Sequence, residues 1–233
     1  NSLGFRGEAI PSIGSIADIS IDSYDKITNE SWKISIINNI LQDIEPSIIR
    51  GGTKVTIRDL FSKVPARLKF LKTNGTEIRY CKEVTKHLAM SNPNISFSFR
   101  VDAKKVFYWN KSEEINFLSI KKRLMQVMGD DFINSSVSVE EEREGMVLAG
   151  MVGMPTLNRN TGREQYLFVN NRPVKDRSLI GALRGAYKGL IENNRFPVAV
   201  LFLEIIPTDV DINVHPAKAE VRFKDAVRVR SLI

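Results

Sequence analysis

Two glycines near the start of the chain bracket a turn that could hold a phosphate group. The turn comprises Gly4, Phe5, Arg6, Gly7 and Glu8, and a segment of helical character follows it. Glycine lets the backbone turn sharply and approach a ligand closely. The first turn of a helix then directs unpaired N–H groups and a partial positive charge toward that ligand. A phosphate is the natural occupant of such a position. A tight turn that binds nothing has the same pattern.

Two later segments carry polar groups that could bind the same kind of ligand. In GGTKV, Gly51 and Gly52 allow close approach, and the Thr53 hydroxyl can hydrogen-bond a ligand or a water. The alternative is a glycine pair that simply begins a strand. In NVHPAKAEVRF, Pro216 stiffens an apolar segment, so we expect Lys218 to present a point charge to a terminal phosphate.

A basic helix and the loop before it could bind a polyanion. The basic side chains of this segment are Arg172, Lys175, Arg177, Arg184 and Lys188. They could neutralise DNA phosphates, which would make binding strongly dependent on salt. The alternative is an ordinary solvated helix face. The predicted apolar stripe of the helix is Leu179, Leu183, Ala186 and Leu190, and we expect Gly181, Gly185 and Gly189 to allow close packing on a sheet.

Composition limits the possible classes of protein. The 233 residues include 34 Lys and Arg against 27 Asp and Glu, a net charge of +7 that favours nucleic acid or a nucleotide as partner. A single cysteine, Cys81, excludes an internal disulfide and a cysteine-based zinc cluster, and two histidines argue against a histidine metal site. No apolar run approaches the ~20 residues that span a bilayer. We therefore expect no membrane association and a reducing, cytoplasmic location.

The order of the predicted elements indicates the fold class. Strands alternate with helices in both halves of the chain, which predicts an α+β or α/β fold with mixed sheets. The polar stretch NKSEEIN interrupts this pattern between residues 110 and 116. We place the domain boundary there, which gives domains at 1–116 and 117–233.

Four segments together resemble a known family. GFRGEAIPSI, GGTKVTIRDLF with VPARLKFLK, YLFVNNRPVKDRSLI and DINVHPAKAEVRF occur in the order and spacing of the amino-terminal region of the MutL DNA mismatch-repair ATPases. That family belongs to the GHKL class, with gyrase B and a heat-shock chaperone. The resemblance covers essentially the whole chain. It departs from the family at Ser62-Lys63, where Tyr-Asn is common, and at Asn171, where VNGR is usual, and neither position is assigned to chemistry.

The resemblance implies a fold and a ligand. Residues 1–116 would form the later part of a GHKL ATP-binding sandwich, and residues 117–233 a transducer domain of the ribosomal-protein type. ATP would bind with Mg²⁺. Gly4 to Glu8 would close the ATP lid and cradle phosphate, Thr53 would support the adenine pocket, and Lys218 would reach the γ-phosphate. A contact to an intact γ-phosphate would favour a closed, dimeric state.

The resemblance also implies which groups this chain lacks. In this class the glutamate that activates water, the asparagine that holds Mg²⁺ and the aspartate that reads adenine all precede the lid. We therefore assign no catalytic residue and no metal ligand here, and we expect the chain alone not to hydrolyse ATP. The implied partners are DNA, a second copy or a related subunit, and mismatch-recognition and downstream repair proteins. The implied location is the bacterial cytoplasm at the nucleoid, or the nucleus in a eukaryote.

Two alternative functions remain open from the sequence. The chain could be a nucleic-acid-binding module without enzymatic activity of its own, or part of another GHKL protein such as a type II topoisomerase subunit. The segments GFRGEA and NVHPAKAEVRF favour MutL over the topoisomerase.

Overall fold

The computed structural model describes residues 9–114, 117–211 and 221–233. The chain forms two compact units, residues 1–77 and 78–233, which divide inside one long helix. We call them unit 1 and unit 2. The domain boundary predicted at 116/117 is a different division of the chain, and it stays a prediction.

Unit 1 is built on an antiparallel sheet. Its elements are α1 (Ala9–Gly14), β1 (Asp18–Asp25), β2 (Glu30–Ile37), β3 (Ile40–Leu41), β4 (Glu45–Pro46), β5 (Thr53–Arg58) and α2 (Pro65–Leu68). The strand order is β3-β2-β1-β5, and β4 also pairs with β2. Because side chains alternate along each strand, one face carries Ile19 and Ile21 of β1, and the other carries Ser20 and Asp22. The sheet therefore has one apolar and one polar face.

A helix and a hairpin follow. These are α3 (Asn74–Ser91), β6 (Phe97–Val101) and β7 (Lys104–Trp109). The hairpin is fixed to the next helix, α4 (Phe117–Met128), by Arg123, whose side chain is only 1% exposed. Its Nη2 donates to the backbone carbonyl oxygens of Pro93 at 3.0 Å, Ile95 at 2.5 Å and Asn110 at 3.1 Å.

The rest of unit 2 is organised around a mixed five-stranded sheet. Its strands are β8 (Ser136–Arg143), β9 (Met146–Gly153), β11 (Gln165–Val169), β12 (Arg172–Val174) and β14 (Ala199–Glu204), in the order β12-β11-β14-β9-β8. Strands β11 and β14 are parallel, and the other pairs are antiparallel. The remaining elements are α5 (Asp130–Asn134), β10 (Asn158–Arg159), α6 (Arg177–Ala186), β13 (Phe196–Pro197), β15 (Val210–Asp211), β16 (Arg222–Phe223) and α7 (Ala226–Arg230).

Both faces of this sheet are buried. Leu167 and Leu201 belong to a core shared with Leu179 and Leu183 of α6, whereas Phe168 belongs to a second core with residues of α4 and α5. A strand covered on both faces is continuously apolar rather than alternating. This explains the run AVLFL in β14, all five residues of which are buried. The mixed α+β class predicted from the sequence is confirmed.

The packing predicted for α6 was partly wrong. Leu179 and Leu183 are buried as expected, but the helix ends at Ala186, and Tyr187 takes the next buried position instead of Leu190. A β-carbon added at any of the three glycines that were expected to pack on the sheet would meet no described atom within 4 Å; these are Gly181, Gly185 and Gly189. All three are exposed, so they do not allow close packing on the sheet. Across the described ranges, no helix is long and apolar enough to cross a membrane.

Candidate nucleotide and nucleic-acid sites

Most of the predicted nucleotide contacts lie outside the described residues. These are Gly4, Phe5, Arg6, Gly7, Glu8 and Lys218. The structure describes α1 from Ala9 to Gly14, which follow this segment in the sequence. Thr53 is the one predicted nucleotide residue that the structure describes.

Thr53 begins β5 and is fixed by a neighbour on β1. Its Oγ1 lies 3.1 Å from the hydroxyl oxygen of Ser23, which is directly opposite in the strand register. Gly52 has a positive φ of 69°, a conformation that favours glycine, and its carbonyl oxygen accepts a hydrogen bond from Tyr24 N at 3.0 Å. The glycine pair thus precedes the strand and turns the chain into it, and Thr53 is exposed.

Thr53 lies on the apolar face of the unit 1 sheet. Val55 and Ile57 follow it on the same face and are 54% and 46% exposed, and Ile21 lies opposite Val55 in the register. An exposed hydroxyl beside exposed aliphatic side chains suits a flat, partly polar ligand such as a nucleobase, because most of such a ligand's contact surface is apolar.

The predicted DNA-binding residues lie on and around α6. Asp176 caps the helix by accepting hydrogen bonds from the backbone N–H groups of Ser178 and Leu179, both at 2.9 Å. Arg177 and Arg184 are seven residues apart, about two turns, and both are exposed. The helix contains no acidic residue.

The other three predicted residues flank this helix. Lys175 precedes it and Lys188 follows it, and both are exposed, whereas Arg172 on β12 is half-buried. The structure thus brings the five side chains to one helix and its two ends.

The structure adds a basic residue that the sequence analysis missed. Arg195 lines a depression with Arg184 and Lys188 beyond the end of α6. The Arg195 Nε donates to the Asn158 side-chain oxygen at 2.5 Å, and the Arg184 guanidinium lies 5.0 Å from the centroid of the Phe196 ring. Arg195 follows the helix in an irregular turn, so no periodic pattern connects it to Arg184 in the sequence.

A partly buried polar cluster lies near Lys175. The Tyr166 hydroxyl donates to Glu83 Oε2 at 2.9 Å, and Nδ1 of His87 lies 2.7 Å from the Glu83 backbone oxygen. Burial lowers the pKa of His87, and the positive charges of Lys175 and Lys86 lower it further, although Glu83 opposes the change. Burial and Glu83 raise the pKa of Tyr166. His87 is therefore neutral at pH 7 and joins α3 to the sheet.

Comparison with known sequences shows which proteins this chain resembles. Residues 124–233 match the family described as DNA mismatch repair protein, C-terminal domain. The MutL mismatch repair protein of Paramagnetospirillum magneticum is 45% identical over 231 residues, which are 99% of this chain and 38% of that protein. The MutL of Rickettsia conorii is 42% identical over 236 residues, again 38% of its length. The chain therefore spans about two fifths of the relatives that it matches.

Solved structures show the same fold. The Aquifex aeolicus MutL ATPase domain complexed with ADP superposes with a TM-score of 0.70 at 26% identity, and the match covers 97% of this chain and 75% of that one. The N-terminal domain of a DNA repair protein gives a TM-score of 0.82 at 24% identity, covering 99% and 73%. The likeness to MutL ATPase domains confirms the predicted GHKL-type fold. Together with the sequence matches, it leads to one conclusion: the chain belongs to the MutL family of DNA mismatch repair proteins.

Proposed function

We propose that this chain forms part of an ATP-dependent switch for DNA mismatch repair, and that its own contribution is to bind ATP and DNA. The observation that carries the nucleotide proposal is the likeness to an ATPase domain crystallised with ADP. In this proposal Thr53 supports the adenine base, the turn from Gly4 to Glu8 cradles phosphate, and Lys218 binds the terminal phosphate. Mg²⁺ bound with the nucleotide would neutralise phosphate charge.

The local geometry at Thr53 supports this role. The contact with Ser23 limits the hydroxyl to few orientations, so it would lose little freedom when it bonds a nucleotide or its bound water. Val55 beside it offers the base an apolar surface. A nucleotide bound there would be oriented by Thr53 and held mainly by contacts to its base and phosphates.

Substitution of Thr53 tests the nucleotide proposal. One hydrogen bond contributes about 0.5–1.5 kcal/mol, so Thr53→Val should weaken binding of a fluorescent, non-hydrolysable ATP analogue about two- to thirteenfold in the presence of Mg²⁺. Thr28→Val, in the exposed turn between β1 and β2, is the matched control and should bind like the unmodified chain. Equal affinities for both variants would remove Thr53 from the site.

We propose that the basic surface at α6 binds the DNA backbone. The absence of acidic residues from this helix supports the proposal, as does the clustering of exposed basic side chains at both of its ends. Neutralising each phosphate of duplex DNA changes the slope of log affinity against log salt by about 0.9. Arg177 and Arg184 together should therefore account for a slope of about 2 if each contacts one phosphate.

Charge reversal tests the DNA proposal independently of ATP. Arg177→Glu combined with Arg184→Glu should weaken duplex binding and reduce the salt slope by about 2. Lys104→Glu with Lys105→Glu, exposed at the β6–β7 hairpin, makes the same change in net charge elsewhere in unit 2. If both pairs weaken DNA binding equally, the effect comes from net charge, and the α6 surface is not the site.

A further inference from the structure

A cleft of about 770 Å³ opens on the polar face of the unit 1 sheet. Strands β1, β2 and β5 form its floor, and residues 45–49 form one wall. Two hydrogen bonds attach that wall to the sheet. The Ser47 hydroxyl donates to Asp22 Oδ1 at 2.6 Å, and the Ser31 hydroxyl donates to the Ile49 carbonyl oxygen. We call this feature the polar cleft.

A row of hydroxyl groups crosses the floor of the polar cleft. In the strand register Ser20 lies opposite Ser35 on one side and Thr56 on the other. Ser35 is only 6% exposed, and Ser20 and Thr56 are half-buried at the floor of the cleft. Three hydroxyl groups in one row can donate to a ligand that supplies acceptor atoms.

The uncompensated charge beside this row is mainly positive. Lys54 and Arg58 flank Thr56 on the same face of β5, and both are exposed without an ion pair in the described part of the chain. The other charged groups are largely paired with each other: Lys33 contacts Glu45 at 2.7 Å, and Lys63 contacts Asp18 at 2.6 Å. Asp18 also lies opposite Arg58 in the register, and Asp22 lies opposite Lys33 and Lys54.

We propose that the polar cleft binds a phosphate group. Arg58 and Lys54 would supply the charge, and the hydroxyls of Ser20, Ser35 and Thr56 would donate to the phosphate oxygens. Arginine suits this task because its planar fork can donate two parallel bonds to an oxyanion. The site is separate from the proposed nucleotide contact, since Thr53 and Thr56 project from opposite faces of β5.

Titration with inorganic phosphate tests the proposal. The full 233-residue chain is followed by amide NMR shifts at constant ionic strength, with chloride as the reference anion. We expect saturable shifts within residues 18–58, and binding at least tenfold weaker in the double variant Lys54→Gln/Arg58→Gln. Lys26→Gln/Arg67→Gln removes the same charge from exposed positions outside the cleft and should bind like the unmodified chain. Ser35→Ala, a small change at the floor, should weaken binding about threefold.

Three results would overturn the proposal: no saturable shift, shifts that chloride reproduces, or equal weakening in the two double variants. A single-stranded oligonucleotide identifies the source of the phosphate. If the cleft takes phosphodiester groups, Lys54→Gln/Arg58→Gln also weakens oligonucleotide binding. If it takes free phosphate or a phosphomonoester, only the phosphate titration changes. Either result of this second arm supports the site, because both require phosphate to bind there.

Discussion

Replacing Arg123 should loosen the attachment of the β6–β7 hairpin to α4. Arg123 Nη2 carries two hydrogens, so it donates about two charge-assisted bonds at a time to the three carbonyl oxygens within its reach. Two such bonds contribute about 3–6 kcal/mol. The Arg123 Nε and Nη1 are buried without a partner among the described residues, and their removal returns at least about 1 kcal/mol for each of these two groups. We therefore expect Arg123→Met to lower the free energy of unfolding of unit 2 by about 2–3 kcal/mol.

The two tryptophans allow each unit to be observed separately. Trp109 is buried in β7 and stacks on Phe107 with ring centroids 3.8 Å apart, whereas Trp32 lies in β2 of unit 1. In a Trp32→Phe background, Trp109 fluorescence during urea unfolding reports on unit 2 alone. This separation matters because a chain with two units need not unfold in one step.

A neighbouring substitution provides the control. Lys122→Met removes an exposed ion pair with Glu114, at 2.6 Å, and should change the free energy of unfolding by less than about 1 kcal/mol. The reasoning fails if Arg123→Met lowers the free energy of unfolding by less than about 0.5 kcal/mol while the slope of that free energy against urea concentration stays unchanged. Such a result would mean that the three carbonyl contacts add nothing beyond what solvent provides.

Further predictions concern pH and glycine positions. Burial lowers the pKa of His87 in the folded state. The contribution of neutral His87 to the stability of unit 2 should therefore be fully present above about pH 6.5 and should be lost as the pH falls through the folded-state pKa. Urea midpoints should show this loss, and His87→Gln should reduce it. Gly150→Ala should strongly destabilise unit 2 in thermal melts, since a β-carbon there would lie 2.1 Å from the Val200 carbonyl oxygen. Gly181→Ala, on exposed α6, should instead raise stability by about 0.5–1 kcal/mol; a lower melting temperature would contradict this.

Local sequence patterns predicted most of the secondary structure. Strands and helices occur in both halves of the chain, as the sequence predicted. These patterns work because each element buries one face or both faces, and burial dictates the residue period. The glycine series of α6 misled for a related reason: a repeat every four residues marks one side of a helix but does not say whether that side is buried.

The sequence could not show which side chains from distant segments meet. Arg195 approaches Arg184 through an irregular turn, and Arg123 binds carbonyl groups 13 to 30 residues away. The row of Ser20, Ser35 and Thr56 depends on strand register. A shift of one residue in that register would move side chains to the other face and remove the row. The roles of Gly4 to Glu8 and Lys218 rest on the family resemblance and remain predictions.

Residue-resolved NMR with a non-hydrolysable ATP analogue and Mg²⁺ tests the central claim most directly. The account predicts saturable shifts at Thr53, at Gly4 to Glu8 and at Lys218, which weaken in Thr53→Val and persist in Lys54→Gln/Arg58→Gln. Shifts confined to the polar cleft would show that the analogue binds there through its phosphates alone. That result, or no saturable shift at all, would contradict a nucleotide site at Thr53.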